Sequence, residues 1–113
     1  MNVPINSPLE AGGIIYNVTI KVEGAIANEW LVWMMNEHIP AIMRTKCFTH
    51  FKVVKLIDVD ESEGPTYAIQ YSANDKTAYK RYMTTYAADM NRLLMQKWGQ
   101  QLVLFETAMQ VIH

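Results

Sequence analysis

The sequence predicts an α+β domain of order βαββαβ, with four strands in one antiparallel sheet and two helices on one face. Three observations carry that reading. Residues 14–22 alternate, with Ile14, Tyr16, Val18, Ile20 and Val22 facing one way and Ile15, Asn17, Thr19 and Lys21 the other. That is the period of a half-buried strand. Residues 25–39 and 74–98 carry apolar side chains at spacings of three and four, the stripe of an amphipathic helix. Between them, two further strand-like runs flank the acidic turn DVDESEGP, which reads as a hairpin.

In chain order, residues 1–13 (MNVPINSPLEAGG) hold two prolines and two glycines and no periodicity. They are expected to be a flexible extension ahead of a single domain over residues 14–113, and they lack the basic start and apolar run of a secretory signal. After the first strand, Glu23-Gly24 ends it. The first helix has the stripe Ile26, Trp30, Trp33, Met34, His38 and Ala41. Pro40 has no backbone donor and disfavours helical geometry at Ile39, so a kink or break is expected at residues 38–40. Residues 48–57 form a strand with a possible bulge at Val53-Val54. Residues 66–73 form the next, with Tyr67, Ile69 and Tyr71 on one face. Asn74 suits a helix N-cap and Gly99 a stop, giving one helix to Trp98 with Tyr79, Tyr82, Met83, Tyr86, Met90, Leu93, Leu94 and Trp98 in its stripe. Residues 101–111 complete the sheet. Two βαβ halves joined by a hairpin give the ferredoxin-like arrangement.

Composition narrows the function classes. Of 113 residues, 50% are hydrophobic and 19% charged, with a net charge of −1. Nucleic-acid binding normally needs a basic excess, and none is present. No apolar run has membrane-spanning length. A lone cysteine, Cys47, excludes an internal disulfide and fits a reducing, cytoplasmic setting. In the last strand both faces are apolar: Leu102, Leu104 and Ala108 on one, Val103, Phe105, Met109 and Val111 on the other. An antiparallel sheet with one wet face should carry polar residues there. The expected cover is a second copy, sheet against sheet, with Asn17, Val103 and Phe105 in the interface of a homodimer.

A face-to-face βαββαβ dimer resembles the dimeric α/β-barrel superfamily, which includes monooxygenases without metal or flavin, haem-degrading enzymes and isomerases. More closely, the chain resembles a bacterial family of domains of unknown function, the DUF4286 type. The residues that carry this are the IIYNVT run from Ile14 to Thr19, Trp30, Trp33-Met34, His38-Ile39-Pro40, Phe48-Thr49, and TYAIQY from Thr66 to Tyr71. The resemblance covers residue 14 onward. It departs at Tyr86-Ala87-Ala88, where the family often has a proline. It implies fold and assembly and no activity. The haem-degrading relatives use a strand asparagine with a tryptophan and a helical histidine; Asn17 is present here, but the second helix has no histidine, which argues against haem.

His38 is the first candidate for chemistry, because histidine titrates near neutral pH and can act as acid or base. The plainer reading makes it a brace, hydrogen-bonded to carbonyls freed by Pro40. Trp30, Trp33, Met34, Tyr67, Tyr71 and Tyr82 converge if both helices pack on one sheet face. They could line a pocket between helices and sheet for a small aromatic molecule. Ordinary core packing is the competing reading. DVDESEG fails as a calcium loop: from Asp58 the sixth position is Glu63 and the twelfth Ile69. Cys47 and His50 do not make a nucleophile pair, and no zinc, phosphate-loop or triad spacing occurs. No metal and no cofactor is therefore expected. The functional expectation is a small-molecule-binding dimer. The alternatives are a non-catalytic homodimeric interaction module without a pocket, or a cofactor-free monooxygenase or isomerase acting on an aromatic compound.

Overall fold

The structure, a computed structural model, describes residues 11–113. Its elements are β1 (Ile14–Val22), α1 (Ala27–Trp33), a π-helical turn (Met34–His38), α2 (Ile39–Met43), β2 (His50–Lys55), β3 (Thr66–Ala73), α3 (Lys76–Thr85), α4 (Ala87–Trp98) and β4 (Leu102–Gln110). The strands make one antiparallel sheet in the order β2-β3-β1-β4. This is the ferredoxin-like βαββαβ arrangement, with β1 in the middle, paired to β3 and β4. Of the expected N-terminal extension, residues 1–10 lie outside the described residues. Gly12 and Gly13 are tied to the sheet: the Gly12 N–H donates to Val111 O, and the Val111 N–H to Gly13 O, each at 2.8 Å.

The alternating face of β1 supplies the core. Tyr16, Val18, Ile20 and Val22 lie under Trp30, Met34, Ile39 and Ile42 of the first helical segment and Tyr82 and Leu94 of the second. The 58–65 turn is held against the end of β1 by Gly64, at φ +147, where an added Cβ would lie 1.9 Å from Val22 O. Only glycine fits that approach.

Three local expectations are corrected and one is refined. The first helix is interrupted next to the expected residues 38–40, by a π-helical turn at Met34–His38 that does not end it. Ile39 keeps φ −62 and ψ −45, and its N–H reaches back five residues to Met34 O. The extra residue in that turn gives the Pro40 ring room without ending the helix, and Arg44 N–H then bonds Pro40 O at 2.9 Å. The second helix does break, at Tyr86 with φ −121 and ψ −28. Just before it, the Thr84 hydroxyl donates to Lys80 O at 2.9 Å, a back-bond that bends helices. The N-cap is Asp75, whose Oδ1 accepts from Ala78 N–H at 2.9 Å, not Asn74. In β2, residues 50–55 pair with 67–72 in unbroken register, so Val53-Val54 is no bulge.

Among the described residues no helix covers the other sheet face. Ile15, Asn17 and Thr19 of β1 sit opposite Met109, Thr107 and Phe105 of β4. Val103 is 68% and Phe105 61% exposed. Asn17 donates its side-chain N–H to Thr19 Oγ1 at 3.0 Å, within its own strand.

Candidate functional site at His38

His38 closes the π-helical turn and is 5% exposed. Trp33 lies against it, ring centroids 4.9 Å apart and planes at 24°. The wide turn brings Met34, His38 and Ile39 onto the buried side together. Among the described residues the only hydrogen-bonded imidazole is that of His50, to Thr49 Oγ1 at 3.0 Å. Neither ring nitrogen of His38 has a partner there, so the brace to the helix carbonyls is not formed. Burial lowers the His38 pKa from 6.5 to about 4. At neutral pH the ring is uncharged, with one N–H to give and one bare nitrogen to accept.

Two spaces meet at this ring. The inner one lies between helices and sheet, bounded by Tyr16, Met34, Tyr71, Tyr82 and Asn91 with His38, and holds about 10 Å³. That is room for about one water. The reason is aromatic packing: Tyr16 stands 5.7 Å from Tyr82, and Phe48 4.8 Å from Tyr82 and 5.3 Å from Tyr71. Burial, then the Glu106 carboxylate, holds the Tyr16 hydroxyl far above the usual tyrosine range. Burial does the same to Tyr71 and Tyr82. All three remain neutral donors. Glu106 Oε1 also accepts from Asn91 Nδ2 at 3.1 Å.

The outer space is a cleft of about 450 Å³ bounded by residues of the two helical arms, including Trp33, Glu37, His38, Leu93 and Lys97, and by Arg44 just past the end of α2. A second cleft of about 500 Å³ adjoins it and shares Trp33, Glu37 and Lys97. Lys97 Nζ stands 5.9 Å from the Trp33 ring centre and 5.3 Å from that of Trp98, and the two indoles meet edge to face at 6.1 Å.

The structure therefore divides the residues that the sequence singles out. Met34, His38, Tyr71 and Tyr82 surround the inner space, and Trp33 and His38 the outer cleft. Trp30 and Tyr67 border neither; they pack on each other at 5.4 Å, and Trp30 is fully buried with its Nε1–H unpaired among the described residues. Among the described residues the tyrosine and phenylalanine rings fill the volume between helices and sheet and leave about 10 Å³ beside His38. Sequence reasoning passed over Tyr16, Asn91 and Glu106 on the inner side, and Arg44 and Lys97 on the outer. Tyr16 was legible as the one aromatic on the inward face of β1. The others follow only from how α4 lies against α1 and β4. Among the described residues no group of three or more His, Cys, Asp or Glu could hold a metal ion, and no helix is long and apolar enough to cross a membrane.

Sheet order, register and helix placement define a domain of the ferredoxin-like class. Within that class the chain belongs to the DUF4286 family, described as a domain of unknown function, whose family model matches residues 13–112. Similar solved structures include a dimeric ferredoxin-like protein from an uncultured marine organism, at TM-score 0.66 and 10% identity, covering 89% of this chain and 96% of that one. They also include SnoaB, a cofactor-independent oxygenase from Streptomyces nogalater, at TM-score 0.66 and 14% identity, covering 91% and 96%. A third is a DABB family protein with a ferredoxin-like fold from Mesorhizobium loti, at TM-score 0.59 and 15% identity, covering 89% and 99%. At these identities the likeness is one of fold. No curated protein matches the chain.

Proposed function

We propose that this protein is a cytoplasmic homodimer, one domain per chain over residues 14–113, that binds a small aromatic molecule at His38. One observation carries the reading: the His38 ring, uncharged at neutral pH and without a hydrogen-bond partner among the described residues, borders a cleft of about 450 Å³. A neutral imidazole beside such a cleft can give or accept one hydrogen bond to a ligand. The volume lies within the range of small-molecule sites. Trp33 offers an aromatic wall beside the ring. The inner tyrosines form the rigid floor behind it.

Dimerisation accounts for the bare sheet face. Val103 and Phe105 are the most exposed apolar residues on it, and burying each is worth roughly 1.5–3 kcal/mol. The dimeric ferredoxin-like protein of the same fold is a precedent for that assembly. Catalysis is not needed for this reading; SnoaB makes oxygenation on the same fold a precedent and nothing more.

A panel of one- and two-ring aromatic compounds, followed by tryptophan fluorescence and ligand-observed NMR, tests the site. Binding that quenches Trp33 and is lost in His38→Leu supports it. Binding of the whole panel unaffected by His38→Leu and Trp33→Leu, or no binding at all, would remove the site and leave an interaction module. Light scattering that shows a stable monomer at micromolar concentration would remove the dimer.

A further inference from the structure

We infer that the outer cleft takes an aromatic carboxylate, its ring against Trp33 and its anionic group between Arg44 and Lys97; this rests on the reading of His38 as a ligand site. The two cations line one cleft. Neither forms an ion pair among the described residues, where the salt bridges are Lys21–Glu63, Lys55–Glu61 and Arg92–Asp89. Against the single acid of the cleft, Glu37, the lining has one positive charge in excess. Arg44 offers a planar fork suited to a carboxylate. Lys97 is already held over the Trp33 and Trp98 rings, so its ammonium stays beside the aromatic wall rather than ranging through solvent. His38 adds a third donor from the wall of the cleft. Flat apolar body, two cations and a neutral N–H donor together describe an organic anion with a ring, not a neutral arene.

The probes are 1-naphthoate and its uncharged amide, 1-naphthamide. Titration of the full chain is followed through the His38 ring signals and by calorimetry, with wild type and the Arg44→Gln/Lys97→Gln double variant. Both substituted residues are exposed, so the fold is retained. The carboxylate should shift the His38 signals and bind at least about tenfold more tightly than the amide, as expected for charge-assisted bonds. The double variant should erase that preference, so that the two probes bind it alike. Equal binding of the two probes, or a preference untouched by the double variant, overturns the anion assignment and leaves the His38 site standing. No response of the His38 ring to either probe overturns both.

Discussion

The two sides of His38 are built from similar residues and behave in opposite ways. On the inner side, Tyr16, Tyr71 and Tyr82 interlock with Phe48 and leave about 10 Å³. On the outer side, Trp33 meets His38 and Trp98, yet about 450 Å³ stays open. The difference comes from which elements do the packing. Two of the inner rings stand on the central strands β1 and β3, whose Tyr16↔Tyr71 register places them side by side, and Tyr82 of α3 and Phe48 ahead of β2 close over them. The outer rings stand on two helices, each interrupted, by a π-helical turn at residues 34–38 and by the bend at Tyr86. Interrupted helices leave a groove between them. Aromatic content alone therefore does not tell a core from a binding surface; the backbone beneath it does.

The largest effect should come from breaking the inner side. Tyr82→Ala removes a fully packed ring and should cost roughly 3–5 kcal/mol of stability by urea unfolding. The matching outer change, Trp33→Ala, removes a half-buried ring and should cost about 1–2 kcal/mol while abolishing ligand quenching. A similar loss in both would make the outer side part of the core.

Acidification probes the ring between them. Well above pH 6.5, His38 is neutral folded and unfolded and contributes no pH dependence. As pH falls from 6.5 towards 4, the unfolded chain takes up a proton that the folded chain refuses, so stability declines. The full loss is roughly 3 kcal/mol, from a shift from 6.5 to about 4. His38→Leu should flatten that decline, and an equally steep decline in the variant would assign it to other groups.

A third contrast concerns the sheet. Phe105→Glu places a charge on the bare face and should weaken the dimer by at least about a hundredfold at unchanged helical content, as read by sedimentation. Smallest of all, Lys97→Ala should cost about 0.5–1 kcal/mol through its lost cation–π contacts.

Much of this was legible in the chain. The period of residues 14–22, the two helical stripes and the acidic turn are local signals, and they lead to the observed sheet. His38, Trp33, Met34, Tyr71 and Tyr82 stood out because each is unusual in its own stripe. The form of the first helix interruption and the existence of the second were not legible, for a physical reason. A proline can be absorbed by one extra residue in a turn, whereas a threonine hydroxyl can bend a helix that has no proline. Arg44 and Lys97 were invisible as a pair, since one follows α2 and the other lies on α4, and only packing brings them to one cleft. Glu106 was hidden for the same reason, facing Tyr16 across the sheet and Asn91 on α4.

The most direct measurement is the NMR titration of the His38 ring between pH 3 and 8, alone and with bound 1-naphthoate. The account predicts a ring neutral at pH 7 with its midpoint near 4, moved upward by the bound carboxylate. A midpoint near 6.5 that no aromatic compound displaces would contradict it, and would place His38 as an ordinary solvated residue at a helix turn.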